Sequence, residues 1–419
     1  MDRDRRAAFI ILKDIQDNGA WSNLAVGKQF SEEEPASPAF VREIVYGVLR
    51  NQILLDYNID SFLSKPNIKS SERILLRMGF YQMAKMDVAD YAAINETVAL
   101  AKAFIRGKEG FINAVLRNFQ RSGQELKYPD ENLITSLSVR YSAHESIVRH
   151  YIDNYGADKA QEILEANTVP AKLAIRVNTL KTSTGELEDI LSGKGFEVYA
   201  SELCDNCLYV KGSALLNSKE YKHGLFSVQG EESQLAVELL SPAKDSLMLD
   251  LCAAPGGKSC AAAELMKNKG RVVAFDLYEH RTKLINKEAR RLGINCIETR
   301  TADTGKFIPD FEEKADFVLA DVPCSVLGTA KKNPEIKLRK LEYASLIEVQ
   351  KHILENAGRY VKKNGRILYS TCTINPFENE KQIEGFMQGG NYEKLYEKQF
   401  FPDSNGKEGF YICLLRKIK

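Results

Sequence analysis

The stretch that decides the fold is LDLCAAPGGKSCAA, residues 249–262. Its apolar start predicts a buried strand that ends at Asp250, and the small residues after it predict a tight turn that opens a helix. The ending GGKS resembles a phosphate-binding loop, G-x-x-x-x-G-K-[S/T]. That loop needs its first glycine where this chain has Cys252, and a side chain there blocks close approach to a phosphate. The stretch therefore predicts a ligand-binding strand–turn–helix unit and disfavours a P-loop nucleotide hydrolase.

Strand-like and helix-like segments alternate around this stretch, from about residue 225 to the C-terminus. This alternation predicts a doubly wound parallel sheet, and therefore a Rossmann-like α/β domain over residues 226–419. In such sheets ligands bind beyond the carboxyl ends of the strands. The predicted strands are DSLMLDLCAAP, GRVVAFDLY, INCIETRTAD, ADFVLADVPCS, RILYSTCTINP and GFYICLLRKIK.

The sequence before residue 226 predicts two further domains, since a chain of 419 residues usually needs more than one core. Residues 1–125 are predicted to be all-helical, because apolar residues recur three and four positions apart. Residues 126–225 continue as a helical linker and change at about residue 170 into a small α+β module. The module's strands are predicted in AKLAIRVNTL, FEVYA and CLYVKGS, with a helix in GELEDILSGKG.

The composition is that of an ordinary globular protein, with 44% hydrophobic and 27% charged residues. A formal net charge of +1 excludes a polycation, so any nucleic-acid surface must be a local patch. The charged N-terminus lacks the apolar stretch of a signal peptide, and no run of about 18 apolar residues predicts a membrane span. We therefore expect a cytoplasmic protein, by default a monomer, whose eight cysteines are reduced thiols.

Cys204 and Cys207 form a C-x-x-C pair. A zinc site would need a second pair of cysteines or a pair of histidines, and none of the five histidines is suitably placed. We therefore expect a surface turn here and no bound metal.

Acidic residues end four consecutive predicted strands, at Asp250, Asp276, Asp303 and Asp321. A single aspartate there often caps the helix that follows. Four in succession are harder to explain as caps, because these strand ends meet at one edge of the sheet. Asp276 lies about 20 residues after the glycines, where a Rossmann-like site places the acid that holds a ribose diol.

The turn between the first strand and its helix has one glycine pair and lacks the G-x-G-x-x-G pattern of pyrophosphate-binding loops. Its small residues allow the backbone to approach a ligand closely. The turn therefore favours a nucleoside cofactor that carries no phosphate, and S-adenosylmethionine is such a cofactor.

Two thiols, Cys324 and Cys372, follow Pro and Thr at the ends of the fourth and fifth strands. Carbon 5 of cytosine is a weak nucleophile, and a thiolate that adds to carbon 6 turns the ring into a reactive enamine. Such a thiolate needs a lowered pKa, for which Lys258 and helix N-termini are candidate causes. The residues leave open which thiol attacks. The thiols that we interpret as buried and inert are Cys252, Cys260, Cys296 and Cys413.

The segment TAKKNPEIKLRK, residues 329–340, carries five basic residues and one acid. Such a charge run is often only a solvated surface, but this one closely follows Cys324. We interpret it as a loop that binds RNA phosphates. Its basic residues are Lys331, Lys332, Lys337, Arg339 and Lys340.

Together these motifs resemble the bacterial RsmB family, also called Sun or Fmu. The matching motifs are AIRVNTLK, VQGEESQLAVELL, DLCAAPGGKS, FDLYEHR, TAD, DVPCS and YSTCTINPFENE, in that order. Residues 1–125 are similar to the RNA-binding domain of NusB, so the resemblance covers essentially the whole chain. It implies methyl transfer from S-adenosylmethionine to carbon 5 of a cytosine in small-subunit (16S) ribosomal RNA, through a covalent cysteine–C6 adduct.

The resemblance also implies roles for single residues. Cys372 is the implied nucleophile, and Cys324 is implied to help release the methylated product. Asp276 is implied to hold the ribose, Asp303 the adenine side and Asp321 the methionine end of the cofactor. The implied cofactor loop consists of Cys252, Ala253, Ala254, Pro255, Gly256, Gly257 and Lys258.

Two positions depart from the family pattern, and two other functions stay open. Val326 stands where a small residue is frequent, and Leu338 where an aromatic is common. A methyltransferase acting on exocyclic amines would need Pro-Pro and an aromatic after Asp321, where this chain has Val-Pro-Cys. An RNA-binding scaffold without activity would have no need of the strand-end acids and thiols.

Overall fold

The computed structural model describes residues 2–130, 132–212 and 215–419. The chain divides into two compact units, one of Met1–Pro170 with Thr329–Leu341 and one of Ala171–Gly328 with Glu342–Lys419. The domain boundaries expected at residues 125 and 225 stay a prediction. Within the described residues, no helix is both long and apolar enough to cross a membrane.

The first unit is helical, which confirms the predicted fold of the N-terminal region. Helix α3 illustrates the local cause: the Ser37 side chain accepts a hydrogen bond from the backbone of Phe40, and Pro38 is the first helical residue. Stacked rings of Phe80 and Phe119, with centroids 3.9 Å apart, lie in the core. The helices are α1 (Arg3–Asn18), α2 (Ser22–Glu32), α3 (Pro38–Arg50), α4 (Gln52–Asp60), α5 (Ser70–Lys85), α6 (Asp90–Phe104), α7 (Glu109–Arg121), α8 (Leu133–Tyr141), α9 (Glu145–Tyr155) and α10 (Ala157–Ala166).

The second unit begins with a small antiparallel sheet of order β2-β3-β1-β4. Ile175 and Val177 of β1 share a core with Leu187 and Leu191 of α11. The predicted α+β module is therefore confirmed, and β4 is an additional strand that was not predicted. The elements are β1 (Ala174–Val177), α11 (Thr184–Ser192), β2 (Glu197–Ala200), β3 (Cys207–Lys211), α12 (Lys219–Lys222) and β4 (Phe226–Val228).

A seven-stranded sheet of order β10-β11-β9-β8-β5-β6-β7 forms the rest of the second unit. Strands β5 to β9 pair in parallel, whereas β11 pairs antiparallel with both β9 and β10. The Rossmann-like fold is confirmed, as a mixed sheet in which β10 was not predicted. The elements are α13 (Glu231–Leu240), β5 (Leu247–Asp250), α14 (Gly257–Leu265), β6 (Arg271–Asp276), α15 (Glu279–Leu292), β7 (Ile297–Thr301), β8 (Ala315–Asp321), α16 (Ala344–Tyr360), β9 (Val361–Thr371), α17 (Glu380–Met387), β10 (Tyr392–Phe400) and β11 (Phe410–Lys417).

The register of the parallel strands brings the predicted motifs to one edge of this sheet. Asp250 of β5 lies opposite Ala274 of β6 and Leu319 of β8. Asp321 of β8 lies opposite Ser370 of β9. Because parallel strands end at the same edge, the loops after these strands are neighbours.

The basic segment at residues 329–340 belongs to the first unit, and two of its lysines are buried. Lys331 Nζ donates a hydrogen bond to the carbonyl of Ala166, at the end of α10, over 2.7 Å. Lys337 Nζ donates to the carbonyls of Arg50 (3.1 Å) and Tyr141 (2.6 Å), which end α3 and α8. The interpretation as a phosphate-binding loop is therefore wrong for these two lysines, because they cap helix C-termini instead.

The Cys204–Cys207 pair is not the expected surface turn. Both residues are buried, at 3% and 0% exposure, in a cluster with Ala174 and Tyr209. Burial raises the pKa of the Cys207 thiol to about 12. The pair is therefore part of the core of the small module.

Candidate active site

The loop between β5 and α14 contains the predicted cofactor residues. Gly256 has a φ of +109°, and a Cβ at this position would lie 3.2 Å from atoms of Ile285. The backbone N–H of Ala253 donates to the carbonyl of Phe275 over 2.8 Å, which fastens the loop to β6. Gly256 thus combines a left-handed backbone with a close approach, and both conditions favour glycine.

A cavity of about 220 Å³ lies against this loop. Six of the seven predicted loop residues line it, Gly256 being the exception. Gln229, Gly230 and Ser233, at the start of α13, line it from another side. These three residues lie in the motif VQGEESQLAVELL, and no role was predicted for them individually. The sequence feature that could have identified them is a short polar segment directly before an apolar helix.

Asp250, which also borders the cavity, is 1% exposed. Its carboxylate accepts hydrogen bonds from Ser259 Oγ at 2.5 Å and from the backbone N–H of Cys252 at 3.4 Å. Burial raises the pKa of Asp250 to about 7. The carboxylate therefore ties the start of α14 to the end of β5.

Asp276 and Asp303 lie at the same sheet edge but are not among the described residues that line the cavity. Asp276, 3% exposed, accepts a hydrogen bond from the backbone of Ala254 (3.3 Å) and pairs with Arg281 (3.2 Å). Asp303 is exposed and accepts a hydrogen bond from the backbone of Gly305 over 3.1 Å. Asp276 thus holds the predicted cofactor loop, while Asp303 closes the turn after β7.

Lys258 and Asp321 form an ion pair of 2.7 Å. Ser370 Oγ donates a second hydrogen bond to the Asp321 carboxylate, also over 2.7 Å. The pair joins the start of α14 to the ends of β8 and β9. The ammonium group of Lys258, predicted to support a thiolate, is thus engaged by Asp321.

The structure brings together the two predicted catalytic thiols, with the Sγ atoms of Cys324 and Cys372 3.3 Å apart. Contact with Cys372 and burial raise the pKa of the Cys324 thiol well above its usual range. Close packing continues at Gly328, whose backbone N–H donates to the carbonyl of Cys372 over 3.0 Å. A Cβ on Gly328 would lie 2.0 Å from the carbonyl oxygen of Gly409, so only glycine fits there.

Two buried charged residues that sequence reasoning missed hold these loops. Arg176 of β1 donates to both carboxylate oxygens of Glu264 (2.9 and 3.0 Å) and to the carbonyl of Gly257 (2.8 Å). Glu378 accepts hydrogen bonds from residues of both cysteine loops, such as Ser325. The available signal for Arg176 was a lone arginine in an otherwise apolar strand.

Asp321 connects the two halves of the site, because it lines the cavity and ends the strand that leads to Cys324. A molecule held in the cavity and a second one at the thiols would therefore share one sheet edge. A thiolate at this edge can add covalently to an electrophilic carbon.

Three family models match the chain. The NusB family matches residues 2–121. The ferredoxin-like domain of RsmF/B-like methyltransferases matches residues 145–215. The 16S rRNA methyltransferase RsmB/F model matches residues 237–416.

Curated proteins and solved structures are similar over nearly the full length. The chain is 36% identical to "Probable ribosomal RNA small subunit methyltransferase B" of Bacillus subtilis (strain 168), with 99% of this chain and 98% of that protein covered. It is 30% identical to "Ribosomal RNA small subunit methyltransferase B" of Vibrio vulnificus (strain YJ016), with 99% of both covered. The solved structure of PH0851 matches with a TM-score of 0.84 at 27% identity, over 98% of both chains.

Proposed function

Since this chain belongs to the RsmB/F family of 16S rRNA methyltransferases, we propose that it methylates carbon 5 of a cytosine in small-subunit ribosomal RNA, with S-adenosylmethionine as methyl donor. The observation that carries this proposal is the 3.3 Å contact between the sulfur atoms of Cys324 and Cys372. Methylation at carbon 5 needs a thiol nucleophile, whereas an exocyclic amine is nucleophilic by itself.

The cavity residues fit this cofactor. The small side chains of the loop leave room for a nucleoside, and the carboxylates of Asp250 and Asp321 suit a sulfonium and an ammonium group. Asp276 is proposed to hold the ribose hydroxyls, and Asp303 to lie on the adenine side. When bound, S-adenosylmethionine supplies an electrophilic methyl group.

Cys372 is proposed to attack carbon 6 of the cytosine as a thiolate. The new S–C6 bond makes carbon 5 nucleophilic enough to accept the methyl group. A base then removes the proton of carbon 5, the C5=C6 double bond forms again, and the S–C6 bond breaks to restore the thiolate. The target base must leave its stack to reach the sulfur, as in other enzymes that modify bases.

Cys324 is proposed to support the departure of the Cys372 sulfur. Its raised pKa keeps Cys324 protonated, and its sulfur lies 3.3 Å from that of Cys372, so the Cys324 S–H group can donate a hydrogen bond to a Cys372 thiolate. A donor at this position stabilises a thiolate as it leaves carbon 6. This geometry supports a role in product release.

The N-terminal helical domain, residues 1–125, is proposed to bind ribosomal RNA, which its match to the NusB family at residues 2–121 supports. Because the exposed lysines of the 329–340 segment are few, we expect other surfaces to contribute to RNA binding. The cytoplasm is the proposed location, since the proposed substrate is ribosomal RNA.

The test uses the full-length protein, unmodified small-subunit ribosomal RNA and methyl-labelled S-adenosylmethionine. The RNA is digested to nucleosides, and we expect the label in 5-methylcytidine for the wild type and for the control Cys296→Ala. The label should disappear with Cys372→Ala. Label in N4-methylcytidine would instead favour exocyclic-amine methylation. No label and no thermal stabilisation by S-adenosylhomocysteine would favour an inactive RNA-binding scaffold.

A further inference from the structure

Glu378 is a buried carboxylate, 0% exposed, in the segment between β9 and α17. It lies six residues after Cys372 in the sequence, and the chemistry proposed above gives it no task. Its backbone is fixed as well, because the hydroxyl of Tyr369 donates to its carbonyl oxygen over 2.6 Å. A carboxylate that is fully buried needs a reason to be there, since its desolvation is costly.

One side of the Glu378 carboxylate holds the loop of Cys324. Oε1 accepts a hydrogen bond from the backbone N–H of Ser325 over 2.8 Å, and the Ser325 hydroxyl donates to Oε2. Gln350 Nε2 donates both to Oε1 and to the carbonyl of Pro323, each over 2.9 Å. The residues on either side of Cys324 are therefore fastened to Glu378, directly or through Gln350.

The other side of the carboxylate holds the loop of Cys372. Asn375 Nδ2 donates to Oε2 over 2.8 Å. The hydroxyl of Thr373 lies 2.8 Å from the Ser325 hydroxyl, so the residue after Cys372 joins the same network. One side chain thus bonds to the loops of both cysteines.

The chemistry of the network requires a carboxylate. Four groups donate to the Glu378 carboxylate: the backbone N–H and the hydroxyl of Ser325, and the side-chain amides of Gln350 and Asn375. None of these donors carries a charge. A carboxylate offers only acceptors, whereas the amide of a glutamine would turn an N–H group toward donors. Such a mismatch leaves buried donors without an acceptor and shifts the loops that carry them.

We propose that Glu378 is a positioning residue that sets the distance between the Cys324 and Cys372 thiols by fastening the two loops to each other. The importance of that distance for catalysis rests on the proposed function. The claim that Glu378 sets the distance between the two thiols does not rest on the proposed function, and it is tested without RNA or cofactor.

The test measures how fast the two thiols form a disulfide. Full-length protein is treated with diamide, which takes up the two hydrogen atoms that the thiols lose, and the Cys324–Cys372 disulfide is followed by peptide mass spectrometry. We expect Glu378→Gln to slow this crosslink about tenfold relative to the wild type, because displaced loops separate the sulfur atoms. Glu380→Gln, the same substitution two residues later, is the control and should crosslink like the wild type.

If only the charge of Glu378 mattered, Glu378→Gln would speed the crosslink instead of slowing it. The Glu378 charge raises the pKa of Cys324, after the larger effects of Cys372 contact and burial, so its removal would favour the thiolate and speed oxidation. A crosslink as fast as or faster than in the wild type would therefore overturn the proposal. Ser325→Ala, which removes one hydroxyl from the network, should give a smaller slowing and keeps the test valid if Glu378→Gln does not fold.

Turnover gives the second readout. With labelled S-adenosylmethionine and RNA, Glu378→Gln should lower kcat about tenfold with little change in KM, and more protein should stay attached to RNA in a denaturing gel. An unchanged kcat together with a slowed crosslink would overturn the catalytic part of the proposal. If the wild type makes no 5-methylcytidine, the proposed function fails while the crosslink result still stands.

Discussion

Cys324 and Cys372 face each other at the ends of two neighbouring strands, but they are proposed to do different things. Contact with Cys372, burial and the Glu378 charge all raise the pKa of Cys324. A thiol that keeps its proton is better suited to donate a hydrogen bond to a leaving sulfur than to attack. This property of Cys324 supports its proposed part in release and leaves attack to Cys372, a choice that the residues alone left open.

Replacing the cysteines one at a time should separate attack from release. Cys372→Ala is expected to lower turnover by roughly a thousandfold or more, because it removes the nucleophile. Cofactor binding should persist, since Cys372 does not line the cavity, and the thermal shift with S-adenosylhomocysteine checks this. Cys324→Ala should leave protein attached to RNA in a denaturing gel.

Two results would contradict these assignments. Loss of the thermal shift in Cys372→Ala would make Cys372 a packing residue. A Cys324→Ala protein that releases RNA as readily as the wild type would remove Cys324 from product release.

At the scale of helices and strands, local patterns predicted most elements of the fold. The unit β5–loop–α14 was predictable because an apolar strand, small turn residues and an apolar helix follow one another in the sequence. Strand β10, YEKLYEKQF, was not, because it is an edge strand whose alternation is blurred by exposed charged residues. Its antiparallel pairing with β11, the next strand along the chain, depends on a register that the pattern of either strand alone does not encode.

The same limit applies to single charged residues. The composition of the 329–340 segment fits a solvated surface, a phosphate-binding loop or a set of helix caps equally well. Only the fold reveals that Lys331 and Lys337 are buried against helix ends. The role of Glu378 was likewise not predictable from the sequence, because it depends on a contact with Ser325, 53 positions away.

Lys337 should make the stability of the protein depend on pH. Burial, with a smaller effect of the Arg50 charge, lowers the pKa of Lys337 to about 7. An unfolded lysine titrates near about 10.4, so between these values the unfolded state binds more protons and the folded state gains stability as pH rises. We expect Lys337→Met to flatten this rise by at most about 1.4 kcal/mol per pH unit.

The measurement is the free energy of unfolding in urea at several pH values from 7 to 10, for the wild type and Lys337→Met. Lys332→Met, an exposed lysine of the same segment, is the matched control and should follow the wild type. Parallel pH profiles for the wild type and Lys337→Met would show that Lys337 is not deprotonated in the folded state.

At the largest scale, one buried ion pair joins the two sheets of the second unit. Arg176 belongs to the small sheet and Glu264 to α14, beside the large one, and their side chains are 5% and 4% exposed. Arg176 also donates to the carbonyl of Gly257 in the proposed cofactor loop. The small module therefore contributes to the site, since its Arg176 donates a hydrogen bond that holds this loop.

Arg176→Met should lower both the free energy of unfolding and the affinity for S-adenosylhomocysteine. The substitution leaves Glu264 buried without its partner, which costs about 3–5 kcal/mol of unfolding free energy. The double variant Arg176→Met/Glu264→Met should recover most of that loss, because replacing both members of a buried pair by apolar residues is close to neutral. Its affinity for S-adenosylhomocysteine, measured by calorimetry, should stay low, because the carbonyl of Gly257 still lacks its donor.

The exposed pair of Lys211 and Glu197, 64% and 62% exposed on the same module, is the control. Lys211→Met should change the unfolding free energy by no more than about 1 kcal/mol. If Arg176→Met costs no more than this control, the buried pair does not hold the two sheets together. If the double variant regains affinity along with stability, then general packing of the module, and not the hydrogen bond to Gly257, positions the cofactor loop.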